Sequence, residues 1–390
     1  MIRVGFVFSF DDGWLGGINY FRNLLAAIYA LPDRKIEAVI FTGLKTPEKY
    51  FADFPPVTIM RSRLFDRGSL PWLVRRAWQR AFLHDPFLER LLRKYGIAVL
   101  SHSGWIGRGA RIPTIGWIPD FQHLRLPEFF DAKEMTVRNR CYGDACRYCS
   151  TVIVSSFDAL ADLRRFDPDC QLKAKVLRFV VATTKARTSL PSRAELESKY
   201  QFTGKYFLLP NQFWKHKNHG VVIEALGLLV GRGVKVRVLS TGNTKDYRHP
   251  KYFEALMARA KDLGVSEYFV PLGLISTEDL AALMVHSSAI INPSLFEGWS
   301  TTVEEAKSLG KPVVLSDIPV HREQNPPLAH YFQPDDAPAL AAILWDIWNT
   351  PVVDEEQAIQ LAQQETNARR LEFAIQYQNI VRDTLGQHHR

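Results

Sequence analysis

Three glutamates, Glu297, Glu304 and Glu305, crowd the stretch SLFEGWSTTVEEAKSLGKPVVLSD, Ser294–Asp317. The apolar run Ala289–Asn292 before it reads as a strand. A turn through Glu297-Gly298 follows, then a helix closed by Gly310, and Lys311-Pro312 opens the next strand. A ligand here would sit at the carboxyl end of a parallel strand, where open α/β sheets bind ligands. The amides of Ser300, Thr301 and Thr302 would face an anion, because a helix start carries unpaired N–H groups and the positive end of its dipole. A diphosphate suits that field, and a carboxylate accepts hydrogen bonds from both hydroxyls of a ribose. A plainer account stands beside this one. Thr301 with Glu304, or Thr302 with Glu305, fits the Ser/Thr-x-x-Glu capping box, whereas Glu297 precedes the helix and its spacing does not make it a cap.

A second polar loop lies in YFLLPNQFWKHKNHGVVIEALGLL. Strand Tyr206–Leu209 ends in it, and Val221, Val222, Ala225, Leu226 and Leu229 then recur at helical spacing after Asn218, read as the N-cap. Lys215 and Lys217 in this loop are either cations for an anionic ligand or solvated lysines. Gly242 and Gly273 each follow a strand-like run, and Gly16-Gly17 sit between strand Ile2–Phe8 and a helix; each pair suits close backbone approach to a ligand or an ordinary turn. Asp167-Pro168-Asp169 reads as a turn. Cys146-x-x-Cys149 has no second ligand pair at zinc spacing, so no metal site is expected.

The pattern Glu297-x7-Glu305 within PSLFEGWSTTVEEAKSLGKPVVLSD resembles the signature of retaining family-4 glycosyltransferases of the GT-B fold. That family usually reads Glu-Gly-Phe-Gly-Leu-Pro, two residues, Glu-Ala, then Gly-x-Pro-Val and a strand. The resemblance implies that Glu297 lies beside the donor sugar, that Glu305 binds the ribose, and that Gly298 and the amides of Ser300, Thr301 and Thr302 meet the phosphates. Trp299-Ser300-Thr301-Thr302 departs from the usual Phe-Gly-Leu-Pro. Relatives commonly carry an arginine and a lysine on the donor diphosphate in the other loop; Lys217 matches the lysine, and Gln212 stands where the arginine is expected, with Lys215 or His216 left to supply part of the field. Gly16 and Gly17 correspond to a glycine loop near the donor phosphate, and Gly242 and Gly273 to positions that cradle the base. Many relatives have His-Asp after the strand in PTIGWIPDFQHLRLPEFFD. Here Pro119 takes the histidine position and Asp120 the aspartate, and His123 is the nearest replacement as a catalytic histidine. The transfer implied stabilises the leaving diphosphate with fixed positive groups, without a metal.

These residues need a scaffold, and the chain is long enough for two. Its 390 residues, 46% hydrophobic and 12% aromatic, bury a large core and exclude a disordered chain. Strands are expected at Ile2–Phe8, Ala38–Phe41, Val99–His102, Thr114–Trp117 and Thr151–Ser155, then at Tyr206–Leu209, Lys235–Leu239, Ala289–Asn292 and Pro312–Leu315. Helical patterns alternate with them, giving an α/β fold with parallel sheets. The polar stretch Ala182–Thr203 separates an acceptor domain, 1–182, from a nucleotide-sugar domain, 183–370. A final helix, 371–390, is free to cross back. With the resemblance this is a GT-B arrangement, two Rossmann-like domains facing across a cleft.

The formal charge of +8 suits an anionic partner: nucleotide phosphates, a nucleic acid or an acidic membrane surface. Part of it is local. From Arg61 to Lys94 there are nine Lys/Arg against three Asp/Glu, interleaved with Leu70, Trp72, Leu73, Trp78, Phe82, Phe87 and Leu91. That segment is either a basic amphipathic helix for anionic lipid or a solvated helix packed by its aromatics. Four cysteines and no apolar run of about 18 residues point to a cytoplasmic protein that spans no membrane. The expectation is a hexosyltransferase using a GDP- or UDP-sugar, with a glycan or lipid-linked acceptor, a peripheral membrane contact and no nucleic-acid partner. The rivals are a GT-B sugar-nucleotide epimerase and a nucleotide-sugar-binding protein without transfer activity.

Overall fold

The computed structural model describes residues 1–8, 15–181, 190–350 and 355–388. Two parallel sheets organise them. The first holds β1 (Ile2–Phe8), β2 (Ile36–Thr42), β3 (Thr58–Arg61), β4 (Val99–Ser101), β5 (Thr114–Ile118), β6 (Thr151–Val154) and β7 (Ala174–Val176), in the order β3-β2-β1-β4-β5-β6-β7. The second holds β8 (Phe207–Leu209), β9 (Val238–Thr241), β10 (Phe269–Gly273), β11 (Ile290–Asn292), β12 (Val313–Ser316) and β13 (Ala329–Phe332), in the order β10-β9-β8-β11-β12-β13. Each order reverses beside its first strand, between β1 and β4 and between β8 and β11. Such switch points open a crevice at the carboxyl ends of the strands.

The strands expected from apolar runs are present, and four further strands were not read as strands: β3, β7, β10 and β13. All four are sheet edges. An edge strand is covered less completely than a central one, so it does not need the continuous apolar run that betrays a buried parallel strand. The burial follows this rule: β4, β6, β8, β9, β11 and β12 are buried throughout, whereas β3 and β7 contain no buried residue.

The chain forms two compact units. One comprises Met1–Phe121, Ala132–Val180 and Ala368–Arg390; the other comprises Gln122–Asp131 and Val181–Asn367. Residues 182–189 of the expected linker lie outside the described residues, and Arg193–Tyr200 within the rest of it form a helix opened by a Ser192–Glu195 capping box. The last helix runs Glu355–His388, and beyond Ala368 it packs into the first unit. There Tyr377 Oη donates to Ser101 Oγ at 2.9 Å, and the Thr384 and Thr151 hydroxyls meet at 2.8 Å.

In the second unit, β8–β13 are sandwiched between two apolar layers. One layer gathers Val222, Leu226, Leu229 and Leu340 against Phe207, Val238 and Ile291; the other gathers Leu283, Val303 and Ala306 against Leu208, Ile290 and Val313. Alternate residues of β8 and β11 therefore point to opposite layers, as pleating requires. The carboxyl ends of these two strands are thus fixed rigidly side by side.

Candidate functional site

The loops leaving β8 and β11 are tied together by buried side chains. Asn292 ends β11, accepts from Asn211 Nδ2 at 2.9 Å, and donates through Nδ2 to Ser300 Oγ at 2.8 Å. Thr302 Oγ1 reaches Asn211 Oδ1 at 3.3 Å. Every member of this chain is buried, so its polar atoms have to be paired within the protein. Ser300 Oγ also accepts from the Val303 amide, which makes Ser300 the N-cap of helix Thr301–Ser308. The cap is therefore this serine; the boxes expected from Thr301 with Glu304 or Thr302 with Glu305 do not form the helix start. Asn292, eight residues before Ser300, orients that cap.

Lys217 and Glu297 meet across the two loops, Nζ to Oε1, at 2.6 Å. Ser294 Oγ approaches the same oxygen at 2.7 Å. Burial acts to raise the Glu297 carboxyl, but the Lys217 charge and these hydrogen bonds outweigh it and hold the group below the usual carboxylate range. Beneath the pair lies His321, fully buried in helix Pro319–Gln324. Its Nδ1 donates to the Ser316 carbonyl at 2.9 Å, so Nδ1 carries a proton. Burial, against the opposing pull of Glu297, takes its pKa down to about 4.

Glu304 is buried beside Gln324 Nε2 (3.2 Å) and Lys307 Nζ (3.6 Å) and serves the packing of this helix against Pro319–Gln324. Gln324 also takes the Ser300 amide at 3.1 Å. That corrects one expectation: the Ser300 N–H, one of three amides expected to face an anion, is engaged within the protein. Glu305, half-buried, is in the same first turns.

Asn218 takes the N-cap position expected of it before helix His219–Gly231, but not by capping with its side chain. Its backbone is left-handed (φ 56°) and its side chain makes no cap bond; Nδ2 donates instead to the carbonyls of Pro293 (3.2 Å) and Pro334 (2.7 Å). It pins the Lys217 loop to the β11 loop. Gly242 has a required geometry, with φ 132°, where a Cβ would stand 2.6 Å from the Asn211 carbonyl oxygen. Its amide bonds the Gly273 carbonyl at 2.8 Å. Gln212 thus borders Gly242 along the backbone, and these two glycines shape the floor under the Gln212 loop.

The segment Gln122–Asp131 joins the same unit chiefly through two cations, Arg248 and Lys215. The Arg248 guanidinium lies over Phe130 (4.6 Å), Tyr247 (5.2 Å) and Trp214 (5.5 Å), and donates to Gln122 Oε1 at 3.4 Å. Lys215 adds a contact over Phe129 at 5.0 Å. This fastens the buried His123 beside Phe130, in the short helix Gln122–Arg125. Asp120 belongs to the first unit, 3.7 Å from Arg138 Nη1. Gly16 and Gly17 are in that unit too. They are not in a loop between strand and helix, since helix Leu15–Tyr29 already includes both; residues 9–14 ahead of it lie outside the described residues.

The structure therefore brings together Gln212, Lys217, Gly242, Gly273, Glu297, Gly298, Ser300, Thr301, Thr302 and Glu305 around the ends of β8, β9, β10 and β11. Asn211, Asn292, Ser294, His321, Gln324 and Arg248 went unread in the sequence. Short polar residues directly after apolar runs were the available signal for Asn211, Asn292 and Ser294. Among the described residues, no three His, Cys, Asp or Glu side chains gather as metal ligands. Asp167 Oδ1 accepts the Cys170 amide at 3.0 Å and ends helix Phe157–Phe166, an ordinary turn.

Two parallel Rossmann-like units with a polar crevice at β8 and β11 define a GT-B protein. Residues 193–364 match the family described as glycosyl transferases group 1. An O-antigen chain mannosyltransferase, RfbU of Salmonella typhimurium, is 28% identical over 146 residues, 37% of this chain and 39% of that protein, so the match spans well under half the relative's length. Among solved structures, a glycosyltransferase from Rickettsia africae superposes with a TM-score of 0.67 at 15% identity, covering 98% of both chains. Anabaena HepE in complex with UDP and glucose superposes with a TM-score of 0.65 at 17% identity, covering 98% of this chain and 99% of that one. These two likenesses concern the fold.

Proposed function

We propose that this protein is a retaining hexosyltransferase, taking a mannose- or glucose-type sugar from a GDP- or UDP-linked donor. The acceptor is a glycan or lipid-linked saccharide of cell-surface polysaccharide synthesis, at the cytoplasmic face of a membrane. The observation that carries this reading is the Lys217–Glu297 pair, held beside the opening turn of helix Thr301–Ser308. The group 1 match and the named activity of RfbU support the reaction class, and the UDP and glucose bound to HepE support the ligand class.

Each residue then has a task. The amides of Thr301 and Thr302, with Lys217, take the negative charge that grows on the diphosphate as the sugar leaves. Glu305 holds the ribose hydroxyls. Gln212 and the backbone at Gly242 and Gly273 border the nucleotide, and Gly298 lets the chain pass close to the sugar. Glu297 stands beside the donor sugar, and His123 with Asp120 serve the acceptor side. Before the donor arrives, Lys217 is already neutralised by Glu297. An incoming diphosphate competes for that ammonium and frees the Glu297 carboxylate toward the sugar hydroxyls. No metal ion is assigned a part.

Donor turnover measured with and without a saccharide acceptor tests this. Nucleotide release that depends on the acceptor supports transfer. Conversion of the donor sugar without an acceptor identifies an epimerase, and tight donor binding without turnover in either case identifies a binding protein.

A further inference from the structure

Helix Leu70–Phe82 is built inside out. Its buried residues are Arg75 and Gln79. Arg75 Nε donates to the fully buried Asp85 carboxylate at 2.6 Å while its guanidinium lies over Phe65, and Gln79 Nε2 donates to the Trp105 carbonyl at 2.9 Å. The opposite face carries the apolar side chains. Leu70, Leu73, Val74, Trp78 and Phe82 are all exposed, Leu70 by 74% and Phe82 by 61%. Their spacing of three, four and eight residues puts them along one stripe, with Ala77 and Ala81 between. Trp78 packs on Phe82 with ring centroids 4.5 Å apart and on Phe87 at 6.0 Å, which extends the stripe to the next helix, Pro86–Lys94. Arg75 and Gln79, with the half-buried Trp72, therefore hold this helix to the protein, and Trp78 and Phe82 stand with the apolar surface that is left outward.

We propose that this face docks on an anionic phospholipid bilayer, the helix lying in the interface plane with Leu70, Leu73, Val74, Trp78 and Phe82 among the acyl chains. The charge around the stripe selects that occupant. Arg76 and Arg80 flank it, exposed, and the helix has no acidic residue. A rim of one sign around a tryptophan-bearing apolar ridge matches a surface of lipid phosphates, where apolar burial and attraction to anionic headgroups add. A contiguous apolar stripe of this kind otherwise has no reason to face water. The choice of lipid over a protein partner rests on the lipid-linked acceptor proposed above.

The full chain is sedimented with vesicles of phosphatidylcholine alone and of phosphatidylcholine with phosphatidylglycerol, without donor or acceptor. The protein is expected to pellet with the anionic vesicles and to stay in solution with the neutral ones. Leu70→Ser with Phe82→Ser lowers the bound fraction on anionic vesicles about tenfold or more, and Arg76→Gln with Arg80→Gln lowers it in the same direction. Leu172→Ser, at an exposed leucine on another surface, leaves it unchanged. Leu70, Phe82 and Leu172 are exposed, so the midpoints of those variants stay at the wild-type value, whereas Arg76 donates to Gln79 Oε1 at 2.7 Å and the arginine variant loses some stability. Equal binding by the Leu70/Phe82 variant, no binding to either vesicle, or a dimer in sedimentation velocity that this variant dissolves overturns the proposal. Because the assay contains no sugar nucleotide, vesicle binding without transfer defeats only the reaction assigned above. Transfer to a soluble saccharide without vesicle binding defeats only the surface.

Discussion

Lys217 Nζ and Glu297 Oε1 are 2.6 Å apart, 80 residues distant in sequence, with side chains only 17% and 11% exposed. A pair so nearly dry is unequal when cut. Removing one member strands the other charge, at a cost of about 3 kcal/mol. Lys217→Ala therefore destabilises the second unit and also removes the cation for the diphosphate. Glu297→Gln keeps the shape and releases Lys217. The expected split is weaker nucleotide binding for Lys217→Ala, and for Glu297→Gln nucleotide binding at least as tight as wild type with a kcat lowered about a hundredfold. Calorimetric titration and steady-state rates check it; unchanged turnover in Glu297→Gln refutes the role given to that acid.

Asn292 is the hub of the polar chain under the site. Asn292→Ala strips a partner from Asn211, Ser294 and Ser300 at once, all buried, and costs about 2–4 kcal/mol. Urea unfolding measures that loss. Asn292→Asp retains the acceptor for Asn211 but not the donor to Ser300 Oγ, so it falls between the two.

Arg248→Ala removes the cation seated on Phe130, Trp214 and Tyr247. About 1–2 kcal/mol of local stability goes with it. Hydrogen exchange in Gln122–Asp131 should quicken while the β8–β13 core remains protected, and turnover should fall through His123. Protection unchanged in that segment contradicts the anchoring role.

Two fully buried histidines, His219 and His321, with the half-buried His102 make the fold acid-sensitive. Burial lowers His102 and His219 to about 3, and His321 to about 4. Unfolded, each takes a proton near pH 6.5. Below that value the unfolded chain binds more protons than the native one, so the stability these groups contribute is complete above pH 6.5 and is lost as the pH falls toward 4 and then 3. The thermal midpoint should drop across that window, and His321→Gln should flatten part of the slope. A midpoint constant from pH 7 to 4 contradicts it.

The sequence showed the central strands and the carboxylates but not the parts whose signal is tertiary. β8 and β11 are buried on both faces, so they had to be apolar runs; β3, β7, β10 and β13 are edges and carry mixed residues. Glu297 stood out in the sequence because it precedes the helix, where its spacing does not make it a cap, whereas Glu305 also fitted an ordinary capping box and was singled out by the family resemblance. Asn211 and Asn292 were not, since each reads alone as a turn residue and their meaning lies in a 2.9 Å bond between loops 81 residues apart. Gly16-Gly17 misled because a glycine pair after a strand suggests a loop, and helix Leu15–Tyr29 absorbs both. Helix Leu70–Phe82 was legible as amphipathic. Only the buried partners of Arg75 and Gln79 reveal which side faces outward.

The most direct test of the nucleotide site is a calorimetric titration of GDP and UDP into the wild-type protein and into Glu305→Ala. The wild type is expected to bind one of the two, with affinity reduced about tenfold or more in the variant. Wild-type affinity retained in Glu305→Ala, or no binding of either nucleotide by the native chain, would contradict the account.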